Sequence, residues 1–207
     1  MAIKVANNQS LTAITSIPAS ITGGAMTLLE TQTASSDATL DFTSNIDSTY
    51  DEYVFKFYDI HPSIDAAQFS VGFRDGSTAY DATKTSTTWR ASHYEGDGSP
   101  SIAYRGDMDQ AQATGFQIIS DEVSNDNDHA LSGTLQIFAP SNTTFVKHFM
   151  ARSATANYGD TAVDFYTAGY CNVTAAIDAI QFKFLAGTGG GSAGNIDSGV
   201  IKLYGIS

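Results

Sequence analysis

The chain is short of charge, and of positive charge above all. Lys and Arg total 10 in 207 residues against 22 Asp and Glu, a formal charge of −12, and charged residues make up only 15%, where about a quarter is usual. A field of that sign repels a phosphate backbone, so nucleic acid is not an expected partner. There is one cysteine, Cys171, which excludes an intramolecular disulfide. It stands in the apolar run 163–173, where a thiol reads as buried and inert. No run of about 18 apolar residues occurs, so membrane insertion is not expected. The start, Met1-Ala-Ile-Lys-Val5, lacks the charged segment and apolar run of an export signal, which implies synthesis in a cytoplasm without a signal peptide. The four histidines, His61, His93, His129 and His148, are not at metal-ligand spacing. Each reads as a surface or structurally satisfied residue.

What is present is the vocabulary of β-structure. Hydrophobic residues reach 42%, with 12 Phe and 10 Tyr, so the chain buries a core rather than staying disordered. From residue 26 onward, short alternating runs are separated by turn residues. Tyr53-Val-Phe-Lys-Phe-Tyr58 puts Tyr53, Phe55 and Phe57 on one face. In Leu131-Ser-Gly-Thr-Leu-Gln-Ile137, Leu131, Gly133, Leu135 and Ile137 point one way and Ser132, Thr134 and Gln136 the other. The run 68–73 is followed by Asp75-Gly76, a hairpin-turn signal. Runs at 27–33, 39–42, 87–93, 145–150, 162–172 and 180–184 and a final strand around Lys202 complete the pattern. It predicts an all-β sandwich or jelly roll of about ten short antiparallel strands. Residues 1–25 are small, polar and β-branched with no aromatic; they form either an extended N-terminal arm or a first strand, and the sandwich domain occupies 26–207.

Most chemical motifs fail on their context. In Gly187-Thr-Gly-Gly-Gly-Ser-Ala-Gly194, Gly189, Gly191 and Gly194 fit the dinucleotide fingerprint, but that chemistry needs a following helix. Only 13 residues remain, and they read as a strand. Ser192 of the same loop sits in a nucleophile-elbow pattern, yet no histidine follows it. The cluster Asn125-Asp-Asn-Asp128 is rich in oxygen but lacks the Gly and Glu of an EF-hand loop, and reads as a solvated acidic turn rather than a cation site. Arg105-Gly-Asp107 matches an adhesion tripeptide too short to count. No catalytic residue, metal or cofactor is expected. The remaining binding signal is aromatic: Trp89, Tyr94, Tyr104 and Tyr158 fall near strand ends or loops, where they either stack on sugars as glycan contacts or seal the ends of the sandwich.

The segments Leu29-Glu-Thr-Gln-Thr33, Thr39-Leu-Asp-Phe-Thr-Ser44, Ser48-Thr-Tyr50 and Gly199-Val-Ile-Lys-Leu-Tyr-Gly-Ile206 resemble virion structural proteins of tailed, especially marine, bacteriophages, among them tail-fibre and appendage proteins. Lys147-His-Phe149 and Ala168-Gly-Tyr170 fit the same pattern. The resemblance implies a non-enzymatic β-sandwich on the particle surface, as a tail fibre, appendage or capsid decoration. It also implies contact with other virion proteins and with copies of itself in a homo-oligomer, a trimer being one arrangement. Two further readings stand beside it: a receptor-recognition module that grips host cell-surface glycans, and a polysaccharide-degrading enzyme.

Overall fold

The computed structural model describes residues 26–187 and 193–207. The alternatives for residues 1–25 lie outside the described residues, as do Gly189, Gly191 and Ser192. Among the described residues there are twelve strands: β1 (Thr27–Asp37), β2 (Leu40–Phe42), β3 (Glu52–Pro62), β4 (Ala67–Arg74), β5 (Lys84–Tyr94), β6 (Gly98–Tyr104), β7 (Gln117–Val123), β8 (Leu131–Phe138), β9 (Lys147–Asn157), β10 (Thr161–Cys171), β11 (Ala179–Leu185) and β12 (Ile196–Ile206). Every pairing between them is antiparallel. The all-β sandwich expected from the alternation is what the chain forms, with two strands more than the pattern indicated.

Both extra strands hide for a physical reason. β6 carries Pro100, which cannot donate to a ladder and is tolerated because β6, among the described residues, is an edge strand paired only with β5. β7 reads Gln-Ile-Ile-Ser-Asp-Glu-Val with almost every residue buried, so it shows neither alternation nor a plain apolar run.

The strands form two layers. The large sheet runs β6-β5-β10-β9-β8-β3-β12-β1, and the small one β7-β4-β11-β2. They are stitched at one side by a single bridge, Val123 to Asn157. At the other side the Gln32 side chain donates to the Asp41 carbonyl of β2 at 2.7 Å, so the sandwich is nearly a closed barrel. Of the consecutive strands only β5–β6, β8–β9 and β9–β10 pair as hairpins. The hairpin predicted at Asp75-Gly76 is therefore corrected. Gly76 does turn the chain, with φ +89, but β4 pairs with β11 and β7 while β5 lies in the opposite layer. A turn motif fixes local direction, and pairing is decided by which apolar faces meet.

The final strand lies between β1 and β3 rather than at an edge. Its two glycines have distinct reasons. Gly199 adopts φ +121, and a Cβ there would meet the Asp59 carbonyl at 2.7 Å. This is where the β12–β3 register slips, bending the sheet as bulges do. Gly205 leaves room for the Tyr50 ring, into which a Cβ would run.

The inward residues of β3 (Tyr53, Phe55, Phe57), β4 (Phe69, Phe73), β8 (Leu131, Leu135, Ile137) and β11 (Phe182, Phe184) are all buried. Phe55 and Phe57 of the large sheet meet Phe182 of the small one edge-on at 5.3 and 5.2 Å between centroids. Edge-to-face contact of this kind adds about 0.5–1.5 kcal/mol per pair beyond area burial.

Candidate functional site

Each residue of the large sheet that does not face the core faces outward, and the registers place these residues in rows. One row reads Tyr104 on β6, Trp89 on β5, Tyr166 on β10, Arg152 on β9, Thr134 on β8, Lys56 on β3 and Lys202 on β12. At about 4.8 Å between neighbouring strands, Trp89 stands about 19 Å from Lys56 and about 24 Å from Lys202.

The aromatic end of the row is built by stacking. The Trp89 and Tyr166 rings lie 4.3 Å apart at 8°, and the Arg152 guanidinium covers the Tyr166 ring at 4.7 Å. Arg152 is fixed in turn by a two-pronged ion pair with Asp164, at 2.9 and 2.8 Å, the planar geometry that suits a guanidinium and a carboxylate. That partnership raises the Arg152 pKa above its ordinary value, through the Asp164 hydrogen bond first. Trp89 nonetheless keeps 38% of its surface exposed.

The cationic end has an unusual arrangement. Lys56 and Lys202 face each other directly across β3 and β12, a like-charge pairing that disfavours a sheet. Each ammonium is drawn aside over a tyrosine of the opposite strand: Lys56 over Tyr204 at 5.6 Å and Lys202 over Tyr58 at 5.5 Å. Neither lysine has a carboxylate at ion-pair distance among the described residues, whereas all four arginines are paired. Between the two ends the face is shallow and lined by small side chains. A depression of about 310 Å³ runs from Trp89 and Tyr166 to Thr134 and Gln136. It meets another of about 460 Å³ over Ser132, Thr134 and Ala154 at Arg152. A third, about 560 Å³, continues past Asp164 over Ala91, Ala154, Ala156 and Ala162.

The four aromatics singled out from sequence divide into two pairs. Trp89, which lies mid-strand rather than at a strand end, is directly opposite Tyr104, whose hydroxyl is held by Asp109. Tyr94 and Tyr158 sit at the loop end of the sandwich, where the Glu95 amide donates to the Asp160 carbonyl at 2.9 Å. Five residues of extended strand separate Tyr94 from Trp89, about 17 Å, so the four do not make one surface. Tyr166, Arg152, Lys56 and Lys202 were not foreseen. Their only sequence signal is that each alternates with core residues, which fixes a face but not a register.

The other charged groups hold the fold. Asp121 is fully buried and its Oδ2 receives Arg90 at 2.6 Å and also Arg105. Burial pushes its carboxyl above the ordinary value, with Glu122 adding and the two arginines opposing. Arg105 also grips Asp107 at 2.9 Å, so the two charged ends of the tripeptide 105–107 are paired with each other. The hydrogen bond from Arg105 is the first cause that lowers the Asp107 pKa. Lys84 and Lys147 are buried on either side of Cys171 in the sheet. Their ammonium groups donate to the carbonyls of Gly115 at 2.7 Å and Val173 at 2.9 Å. Burial lowers the pKa of both lysines and pushes the Cys171 thiol up to about 12, which keeps it protonated and unreactive.

In the 125–128 loop the Asn125 amide donates to Asp65 at 3.3 Å, and the Asp126 carbonyl lies 3.2 Å from His61 Nε2. Among the described residues no group of three or more His, Cys, Asp and Glu side chains converges as a metal ion requires. After Gly194 the chain enters β12 with no helix between, so neither the fingerprint nor the elbow finds its required context. No helix among the described residues is long and apolar enough to cross a membrane. No family model matches the chain, and no curated protein or solved structure is significantly similar to it.

Proposed function

We propose that this chain is a non-enzymatic structural protein of a bacteriophage particle, displayed on the surface as a tail fibre, appendage or capsid decoration and assembled with copies of itself. The observation that supports it best is the outer surface of the large sheet. Ile102 is 81% exposed on the edge strand β6, Tyr104 is exposed on the same strand, Trp89 on the neighbouring β5 and Met150 further across the face on β9. An open sheet face and edge of this kind suit burial against neighbouring subunits. The buried ionisable groups are engaged in holding the sandwich, which accords with a scaffolding role. Gold-labelled antibody against the protein, applied to purified particles, is expected to decorate them at fixed positions. Particles that lack the protein by mass spectrometry would overturn the reading.

A second reading, a glycan-binding module for host recognition, is favoured by one specific observation: the Trp89–Tyr166–Arg152 stack beside an open depression. Trp89→Ala is expected to weaken binding to a host polysaccharide roughly tenfold, and Tyr94→Ala to leave it unchanged. Equal loss in both variants would place the contact elsewhere.

A further inference from the structure

We propose that the outer face of the large sheet binds an acidic polysaccharide laid across the strands, with sugar faces against Trp89 and carboxylate or sulfate groups at Lys56 and Lys202. This deepens the glycan-binding reading above and rests on it.

Three features of the face carry the inference. First, the aromatic and cationic ends share one row of the sheet, and the depressions that join at Arg152 and Thr134 connect Trp89 to the strand beside Lys56. The ligand that fits is long, shallow and extended, not a small molecule in a closed pocket. Second, the two lysines are opposed to each other, and no carboxylate neutralises them among the described residues. In a chain with 22 acidic and 10 basic residues, that pairing has an electrostatic cost that an anion placed between them removes.

Third, the surrounding acidity does not cancel them. Glu95, Asp97, Asp160, Asp65, Asp126 and Asp128 lie in the loops between β5–β6, β9–β10, β3–β4 and β7–β8, at one end of the sandwich. Asp164, the carboxylate near the middle of the row, is taken by Arg152. At physiological ionic strength charges more than about 8 Å away are largely screened, so a ligand on the row meets the lysines before the net charge. The small number of free cations also selects the polymer. Duplex DNA carries a charge about every 1.7 Å, far denser than two lysines answer, whereas a polysaccharide with one acid group per sugar or disaccharide matches them.

The test uses the full chain on a panel of polygalacturonate, alginate and chondroitin sulfate oligosaccharides, each beside its methyl-esterified or desulfated form. At least one acidic oligosaccharide is expected to bind, more tightly than its uncharged form and progressively less tightly as NaCl rises. Lys56→Gln with Lys202→Gln is expected to lower affinity for the acidic form roughly fivefold and to abolish the preference over the uncharged form. Trp89→Ala should weaken both forms alike. Thermal unfolding of each variant checks that the outward substitutions leave the fold intact. Equal binding of charged and uncharged forms overturns the acidic specificity while leaving glycan binding in place. Binding of none of the panel overturns both, as does self-association of the chain that is abolished by Trp89→Ala.

Discussion

The two halves of the interior are built from different chemistry. Beneath β3, β8 and β12 the sandwich is filled by phenylalanine: Phe42, Phe55, Phe57, Phe69, Phe182 and Phe184 form one contiguous set of ring contacts. Beneath β5, β9 and β10 the inward side chains are largely polar, among them Lys84, Ser86, Thr88, Lys147, Ser153 and Thr167. Those groups are joined to the opposite layer by directed bonds. Ser86 donates to Gln117 at 2.6 Å, Ser153 to the Ile119 carbonyl at 2.8 Å and Thr167 to the Ile118 carbonyl at 3.2 Å.

The aromatic half draws on area, which is strong and tolerant of small shifts. The polar half draws on geometry, which adds little net energy when made and costs heavily when half-made. The strands that carry Trp89, Tyr166 and Arg152 are those over the polar half. Their relative positions are therefore pinned by hydrogen bonds, a fit arrangement for a surface that must hold a stack in register.

The contrast can be broken most forcefully at Asp121. Replacing it with Ala removes the buried carboxylate that Arg90 and Arg105 share, leaving Arg90 to Glu122 and Arg105 to Asp107, and is expected to cost about 3–5 kcal/mol in denaturant unfolding. Replacing all three by apolar residues of similar volume should recover most of that loss, which no aromatic-half substitution would allow. Phe182→Ala opens a cavity among the four rings of Phe42, Phe55, Phe57 and Phe69 and is expected to cost a similar amount, about 3–5 kcal/mol. Here a second substitution that enlarges a neighbouring ring is the route to recovery. Ser153→Ala leaves the Ile119 carbonyl short of a donor, for about 1–3 kcal/mol.

The smallest effect is a pH slope. Cys171 holds its proton to about 12 when folded against an ordinary 9.0, so its contribution is intact below pH 9.0 and is lost as pH rises above it. Lys84 and Lys147 act in the opposite sense: both are lowered by burial from 10.5, and their contribution to stability grows as pH climbs toward 10.5. Comparing Cys171→Ala with the parent chain between pH 8 and 11 isolates the thiol. A parent that loses no more stability than the variant over that range would contradict the raised pKa.

Much of the fold was legible because strand alternation is a local signal. Tyr53, Phe55 and Phe57 declared the core face of β3, and Ser132, Thr134 and Gln136 declared the outer face of β8. What could not be read was everything that depends on partners distant in sequence. Asp75-Gly76 looked like a hairpin until the layers were known. β7 concealed itself by burying Gln117, Ser120 and Asp121. The candidate site suffered most, since Lys56 and Lys202 become a pair only through the β3–β12 register. Trp89 was singled out as an aromatic near a strand end, although it stands mid-strand; Tyr166, its stacking partner, looked like any other strand tyrosine.

The position of β12 has a kinetic consequence. It lies between β1 and β3 but is far from both in sequence, so the middle of that part of the large sheet is empty until it takes its place. Until then β1 has no strand partner among the described residues and β3 has a raw edge, both open to strands of other chains. Pairings this distant in sequence close slowly, and all-β domains rich in them fold in about milliseconds to seconds. Refolding is expected to show its slowest step at this insertion and to lose yield to association as concentration rises. A peptide of residues 196–206 added in trans should compete for the same gap.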